Sequence, residues 1–484
     1  MADYDVVILG AGTAGHSVAA LAAALGLRVA LVADGAAPES RIALPALAAA
    51  ARRAALLRDA RRFGLGAPAP TVEWDGVRAH VRGAVAALAP DHAPARFRAM
   101  GIEVIEGRGY FAAPDAVEAG GRRLRFRRCL LAGGGVPALP HLPGLDSVPC
   151  LTEATIHDLA VPPAHLLVLG GGEAAPGLAQ AHARLGCRVT LVEPDGLAAG
   201  HEPELADGLR RALRRDGVSL REGVAPAWAR ATGTGVMLGL EGGEALEGSH
   251  LLAAGARAPA LAGLDLAAAG IEATPRGIAT DRGLRALGNR RVWAAGPLAD
   301  AGDGQGGEAA EAAQVMTLAR GMLFHLPARF DPATVPRLLG TDPMLAQVGL
   351  TEAAARAAGH DGLRLLRWPL AETDRAVAEN GGAENGGAES GGAGGGAAGG
   401  LVKLVATPKG RLLGAGLLAP EAGEMAGLFA ALLGRRLPLG ALAGLALPWP
   451  VFTEAARRAA GEFYAPRLLS PLSRRLVGLL RYLP

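Results

Sequence analysis

The chain has 484 residues, half of them hydrophobic and 20% charged, so we expect a globular protein with more than one domain. Its 49 basic and 46 acidic residues nearly balance, which argues against a nucleic-acid-binding protein. The three cysteines, Cys129, Cys150 and Cys187, match no metal-binding or redox spacing. We therefore expect buried thiols in a cytoplasmic protein and no metal site.

A strand–turn–helix–strand pattern opens the chain over residues 4–34. Gly10, Gly12 and Gly15 have the Gly-x-Gly-x-x-Gly spacing between the predicted strand and helix. The first glycine permits a tight turn, the second lets a pyrophosphate approach the backbone, and the third lets helix and strand pack closely. Asp34 is the acid available to a ribose hydroxyl, one residue beyond the usual position. The glycine core favours a buried βαβ unit over a membrane span.

A second unit of the same kind covers residues 165–195. Gly170 and Gly172 keep their places, and Ala175 replaces the third glycine, a tolerated change. Glu193 ends the following strand, where its carboxylate can accept from an adenosine ribose hydroxyl and would repel a 2′-phosphate. The duplication predicts two Rossmann-type sites, with NAD(H) favoured over NADP(H) at the second.

The remainder of the chain alternates predicted helices and strands. Strands are expected near 102–111 and 124–132, and from Thr341 onward strands and helices alternate in an α+β pattern. Residues 378–400 form a Gly/Ala/Asn-rich tract that cannot bury apolar area, so we expect a flexible loop inserted between two strands.

Four segments, 130–149, 290–296, 341–359 and 401–425, together with the two glycine units, resemble the pyridine nucleotide-disulfide oxidoreductases, in particular the dihydrolipoamide dehydrogenase and mercuric reductase branch. The resemblance implies an α/β fold with two Rossmann-type dinucleotide-binding domains and a C-terminal α+β dimerisation domain. It also implies FAD, NAD(H) and a homodimer.

The resemblance divides the chain into four parts. These are an FAD-binding domain in two parts (1–147 and 269–338), an NAD-binding domain (148–268) and a dimerisation domain (339–484). Glycines after predicted strands belong to its cofactor-contacting segments: Gly133 and Gly296 for FAD, and Gly255 for NAD.

The positions that carry the family's disulfide chemistry are altered. With Pro45 as the anchor, the resemblance places the two redox cysteines, the lysine near the flavin and its glutamate partner at Pro38, Ala43, Leu47 and Gly177. The acid/base histidine falls at Trp449, while Glu454 of the same motif is retained. The aspartate that binds the flavin's ribityl chain falls at Pro297, with Asp300 and Asp303 nearby as weaker candidates.

Two hypotheses follow. The first is an FAD-dependent NADH oxidoreductase that passes electrons to an unidentified small-molecule acceptor other than a disulfide, because a disulfide relay needs two thiols and a group that titrates near neutral pH. The second is a catalytically degenerate dimer that binds a nucleotide or acts as a sensor or interaction protein. The basic, amphipathic tail at 464–484 is expected to pack at the dimer edge, with a weak membrane-surface contact as the alternative. His16, after the first glycine turn, is expected on the helix surface, with contact to the cofactor or substrate as the alternative.

Overall fold

The computed structural model describes residues 2–33, 41–66, 70–255, 257–301, 307–380 and 399–481. The chain divides into two compact units. Unit 1 comprises Met1–Ala49, Glu73–Ala175 and Pro226–Val335. Unit 2 comprises Ala50–Val72, Pro176–Ala225 and Pro336–Pro484.

The first elements follow the predicted strand–helix alternation. They are β1 (Tyr4–Leu9), α1 (Thr13–Ala24), β2 (Val29–Ala33), α2 (Ala43–Asp59), α3 (Trp74–His92), α4 (Pro94–Ala99), β3 (Glu103–Glu106), β4 (Gly109–Ala113), β5 (Ala116–Ala119) and β6 (Arg122–Leu131). The middle of the chain contains β7 (Gly135–Pro137), β8 (Cys150–Thr152), β9 (His165–Leu169), α5 (Ala175–Arg184), β10 (Arg188–Glu193), α6 (Pro203–Arg215), β11 (Val218–Glu222), β12 (Pro226–Ala231), β13 (Val236–Leu240), β14 (Ala245–Gly248), β15 (His250–Ala253) and β16 (Arg257–Pro259).

The last part begins with four short strands and a helix: β17 (Ala273–Thr274), β18 (Gly277–Ala279), β19 (Val292–Ala294), β20 (Ala299–Asp300) and α7 (Glu308–Leu318). It continues with β21 (Arg337–Leu339), β22 (Met344–Gly349), α8 (Glu352–Ala357), β23 (Arg364–Pro369), α9 (Asp374–Asn380), β24 (Leu401–Ala406) and β25 (Leu412–Ala419). It ends with α10 (Ala422–Gly434), α11 (Leu439–Ala443), α12 (Glu454–Glu462), α13 (Ala465–Leu468) and α14 (Pro471–Leu480).

The main sheet of unit 1 is built around β1, which pairs in parallel with β2 and β6. Parallel β3 extends it beyond β2, β19 pairs in parallel with β6, and the antiparallel β5 and β4 complete seven strands. Helix α1 buries the small side chains of Ala14, Val18 and Ala22 at helical spacing, and the left-handed Gly26 (φ 77°) follows its end. The first predicted βαβ unit is confirmed.

The C-terminal part of unit 2 has the predicted α+β character. Five antiparallel strands lie in the order β21-β22-β25-β24-β23. Helix α10 packs on β22 and β25, and α12 packs on β23 and β24, around the buried rings of Phe429 and Phe452. Most of the predicted insertion, residues 381–398, lies outside the described residues, whereas residues 378–380 belong to helix α9 and are not loop.

A buried ionic cluster lies within unit 2. Lys403, on β24, is one of only two lysines in the chain, and its side chain is 4% exposed. Its ammonium lies 2.7 Å from Glu202, 2.7 Å from Glu204 and 3.0 Å from Glu352. Burial opposes its charge, but hydrogen bonds to the three carboxylates hold the pKa of Lys403 above its usual value.

The C-terminal helices of the described chain are short. Helix α14 carries exposed apolar side chains, among them Leu472, Val477 and Leu479. Within the described residues, every helix is too short or too polar to cross a membrane.

Candidate functional site

The first glycine turn joins β1 to α1 and requires all three of its glycines. Gly10 has φ 102°, and a Cβ atom on it would overlap the backbone of Gly133, which follows β6. A Cβ on Gly12 would lie 2.8 Å from the carbonyl oxygen of Ala132, which accepts a hydrogen bond from the Gly12 N–H at 3.0 Å. A Cβ on Gly15 would lie 2.7 Å from the Gly10 oxygen. The turn is therefore formed by backbone groups in close contact.

An acidic side chain occupies the N-terminus of helix α1. Glu311, on α7, is 4% exposed, and its Oε2 lies 3.3 Å from the position that a Cβ on Gly12 would take, beside the backbone N–H groups of Thr13 and Ala14. Burial raises the pKa of Glu311, although Arg41, 3.7 Å away, favours the charged form. Sequence reasoning missed Glu311, because one acid in the alanine-rich segment 308–313 gives no signal of its own.

The second predicted FAD-contacting glycine lies against the same carboxylate. A Cβ built on Gly296 (φ 60°) would lie 2.8 Å from Cδ of Glu311, and the Gly296 N–H donates to Oε1 of Gln314 at 2.7 Å. The Glu311 carboxyl group is thus close to both the Gly12 turn and the Gly296 turn within unit 1. Of the weaker ribityl candidates, Asp300 instead accepts from Thr274 at 2.9 Å, and Asp303 lies outside the described residues.

The donor set at the first turn suits an anionic oxygen group. Unpaired N–H groups at a helix N-terminus bind phosphates and carboxylates alike, and here the Glu311 carboxylate of the chain itself lies beside them. The residues therefore fit the pyrophosphate of a dinucleotide once the Glu311 side chain has moved away from the N–H groups at the start of α1.

The second glycine turn follows β9. Gly171 has φ 106°, and a Cβ on Gly172 would overlap the carbonyl oxygen of Gly255, which follows β15. The Gly172 N–H donates to Ala254 at 3.1 Å, and Ala175, the first residue of α5, is fully buried. The structure thus brings Gly172 and Gly255 together.

Of the two acids predicted to follow or end a strand, Glu193 and Asp34, only Glu193 lies within the described residues. Glu193 is the last residue of β10, and its side chain is buried. Asp34 lies outside the described residues, so its predicted role at the first site remains a prediction. The same holds for Pro38, which the resemblance placed at a redox cysteine.

The other positions of the expected disulfide machinery carry no reactive group. Ala43 and Leu47 are buried on helix α2, and Gly177 is buried in α5. Trp449 is 75% exposed, and its indole N–H donates to Asp374 at 2.6 Å.

The retained acid of the C-terminal motif has a partner on its own helix. Glu454 is buried at the start of α12 and accepts from the Arg458 guanidinium at 2.7 Å. This ion pair spaced four residues apart supports the helix.

The three cysteines are unpaired thiols, and Cys129 and Cys187 are buried. Burial raises the pKa of Cys187 to about 11 and raises the pKa values of Cys129 and Cys150. Because the thiolate is the reactive form, these environments do not favour nucleophilic thiol chemistry.

His16 is buried, so its predicted place on the helix surface is wrong. Its ring stacks on Phe97 at 4.4 Å, and its Nδ1 lies 3.2 Å from that of His92. Helices α3 and α4 supply these rings and cover this face of α1, which the sequence of α1 alone could not show. Burial, with the nearby His92, Arg41 and Arg96, lowers the pKa of His16 to about 4.

The depressed pKa of His16 predicts a loss of stability in acid. The unfolded chain takes up this proton near pH 6.5 and the folded chain only near pH 4, so the free energy of unfolding should fall across that window. The pKa difference corresponds to about 3 kcal/mol. Chemical denaturation of the His16→Phe variant should show a smaller fall than the natural protein, whereas His80→Gln, at an exposed position, should not. Equal pH dependence of His16→Phe and the natural protein would contradict this assignment.

Comparison with known proteins gives consistent matches along the chain. Residues 4–317 match the family model described as "Pyridine nucleotide-disulphide oxidoreductase", and residues 335–460 match its dimerisation domain. The chain is 30% identical to a mercuric reductase of Streptomyces lividans, over 95% of this chain and 96% of that protein. It is also 30% identical to a dihydrolipoyl dehydrogenase of Thermus scotoductus, over 88% and 90% of the two chains.

Solved structures share the fold. LpdA from Mycobacterium tuberculosis has a TM-score of 0.80 at 24% identity, covering 96% of this chain and all of its own. The HOCl-induced flavoprotein disulfide reductase RclA from Escherichia coli has a TM-score of 0.79 at 23% identity, covering 95% and 99%. The predicted α/β fold class is confirmed.

Proposed function

The chain belongs to the pyridine nucleotide-disulphide oxidoreductase family, and from this premise we propose that it is an FAD-dependent NADH oxidoreductase whose electron acceptor is not a disulfide. The observation that carries the proposal is the presence of two glycine turns. The first packs against the backbone that follows β6, and the second packs against the backbone that follows β15. The positions expected to carry thiol chemistry hold no thiol.

The first turn is proposed to hold FAD. Gly10 and Gly12 allow the pyrophosphate to reach the N–H groups at the start of α1, and Gly133 adds no side chain beside the turn. Gly296 is proposed as an FAD contact once the Glu311 side chain, which lies against it, has moved away. Bound flavin supplies the capacity to accept a hydride and release electrons to an acceptor. Asp34 is proposed for the adenosine ribose.

The second turn is proposed to hold NADH. Gly170 and Gly172 permit close approach of the pyrophosphate, and the N-terminus of α5 begins at Ala175. Gly255 leaves the opposite wall without a side chain. Glu193 favours NADH over NADPH because its carboxylate would accept from a ribose hydroxyl and repel a 2′-phosphate.

Disulfides are excluded as the proposed electron acceptor for a chemical reason. A disulfide relay needs an attacking thiolate and a second thiol, and the aligned positions are Pro38 and Ala43. Trp449, at the position of the acid/base histidine, has no proton that titrates near neutral pH. Lipoamide and mercuric-ion reduction by the thiol route are therefore not expected.

A second candidate is favoured by Glu311. Because its carboxylate lies at the first turn, where a cofactor pyrophosphate would bind, the alternative is a degenerate dimer that binds a nucleotide at the second turn or acts as a sensor or interaction protein. In either case the dimerisation-domain match supports a homodimer. The free cysteines support a reducing compartment, for which we propose the cytoplasm.

The experiment that separates the two candidates is flavin analysis of the purified protein followed by a steady-state assay. We expect bound FAD and NADH oxidation with ferricyanide or a quinone, and no turnover with lipoamide. A protein that stays colourless after incubation with FAD, but whose melting temperature rises with NAD, would support the second candidate and contradict the first.

A further inference from the structure

The acidic first turn of α7 forms a local ion-pair arrangement with Arg41. Glu311 is buried and lies 3.7 Å from Arg41, whereas Glu308 is 61% exposed and lies 3.3 Å from the same guanidinium. Arg41 also donates to the Thr13 hydroxyl at 2.7 Å. Both carboxylates can therefore pair with the cation, but of the two Glu311 also lies against the first glycine turn, with its Oε2 3.3 Å from the Cβ position of Gly12.

Two anions cannot occupy the same place beside the N–H groups at the start of α1. The Glu311 carboxyl group is already there, with its Oε2 3.3 Å from the position that a Cβ on Gly12 would take. A phosphate at the same place would leave one anion buried without donors and close to a like charge, which is costly in a site shielded from water. The Glu311 carboxyl group also lies between the Gly12 and Gly296 positions, where a cofactor would need space.

We propose that Glu311 is an internal competitor of the cofactor pyrophosphate at the first glycine turn, so that cofactor loading requires its side chain to leave the N-terminus of α1. The inference rests on the proposed function in one respect, since it takes FAD as the ligand of this turn. When Glu311 leaves, Arg41 becomes available to pair with the incoming phosphate.

The test is the affinity of the full-length protein, freed of flavin, for FAD and for riboflavin, measured by quenching of flavin fluorescence. Glu311→Gln removes the charge and keeps the volume, while Glu311→Ala also opens space. Glu308→Gln is the matched control. Glu308 pairs with Arg41, as Glu311 does, but it makes no contact with the N–H groups at the start of α1. Thermal unfolding of each variant verifies folding.

We expect both Glu311 variants to bind FAD about tenfold more tightly or better than the natural chain, and Glu308→Gln to stay within about twofold of it. Riboflavin, which has no phosphate, should show no comparable gain. Unchanged FAD affinity in Glu311→Ala would overturn the inference while leaving FAD binding, and with it the proposed function, intact.

Two other outcomes separate the inference from the proposed function. If the natural chain binds no FAD but Glu311→Ala does, Glu311 is the competitor and the natural chain is not a flavoenzyme. If no folded variant binds FAD, both the inference and the proposed function are overturned.

Discussion

Replacing Lys403 with methionine should lower the free energy of unfolding by about 3–5 kcal/mol. The change removes the cation that lies within 3.0 Å of Glu202, Glu204 and Glu352. The Glu202 side chain is 1% exposed, and within the described residues its one remaining hydrogen-bond donor would be the Glu352 N–H, at 2.7 Å. A buried carboxylate without a counter-ion is strongly destabilising.

Chemical denaturation with two companion variants tests this assignment. Lys409→Met removes the other lysine, which is exposed, and should change stability by less than about 0.5 kcal/mol. Adding Glu202→Gln to Lys403→Met should recover part of the loss, because the unpaired charge is removed with it. A loss below about 1 kcal/mol for Lys403→Met would show that the cluster behaves as a surface ion pair.

Replacing Gly172 with alanine should slow flavin reduction by NADH about 100-fold or more. The added methyl group would overlap the carbonyl oxygen of Gly255, so the turn must shift and misplace the proposed nicotinamide cofactor. FAD content should not change, because the first turn is formed by other residues. Stopped-flow reduction of the flavin measures the rate directly.

The matched control is Gly83→Ala. Gly83 lies within helix α3 with open space where the Cβ would be, so alanine should be neutral or slightly stabilising there. If the flavin of a folded Gly172→Ala protein is reduced by NADH as fast as that of the natural protein, the second turn has no role in the proposed reaction.

The sequence predicted those parts of the fold that depend on local pattern. Gly10, Gly12 and Gly15 mark a turn because their spacing follows from the geometry of a strand entering a helix, and the structure has the turn there. The strands at 401–406 and 412–419 follow from their apolar runs and intervening turn residues.

The residues that sequence reasoning missed depend on tertiary placement. Glu311 has the pattern of any acid in the first turn of a helix, and only the packing of α7 beside α1 buries its carboxyl group at the first glycine turn. Lys403 lies in an apolar strand, and its carboxylate partners are about 50 and 200 residues away in the chain. The prediction that His16 lies on the helix surface was wrong for the same reason, because its burial depends on α3 and α4.

The measurement that tests the central claim most directly is anaerobic titration of the FAD-incubated protein with NADH, followed by its visible spectrum. We expect the absorption of oxidised flavin to be lost with one equivalent of NADH per flavin, without the long-wavelength band that a thiolate beside the flavin would give. Ferricyanide should then restore the oxidised spectrum. Bound flavin that NADH leaves oxidised, or a protein that takes up no flavin, would contradict the account.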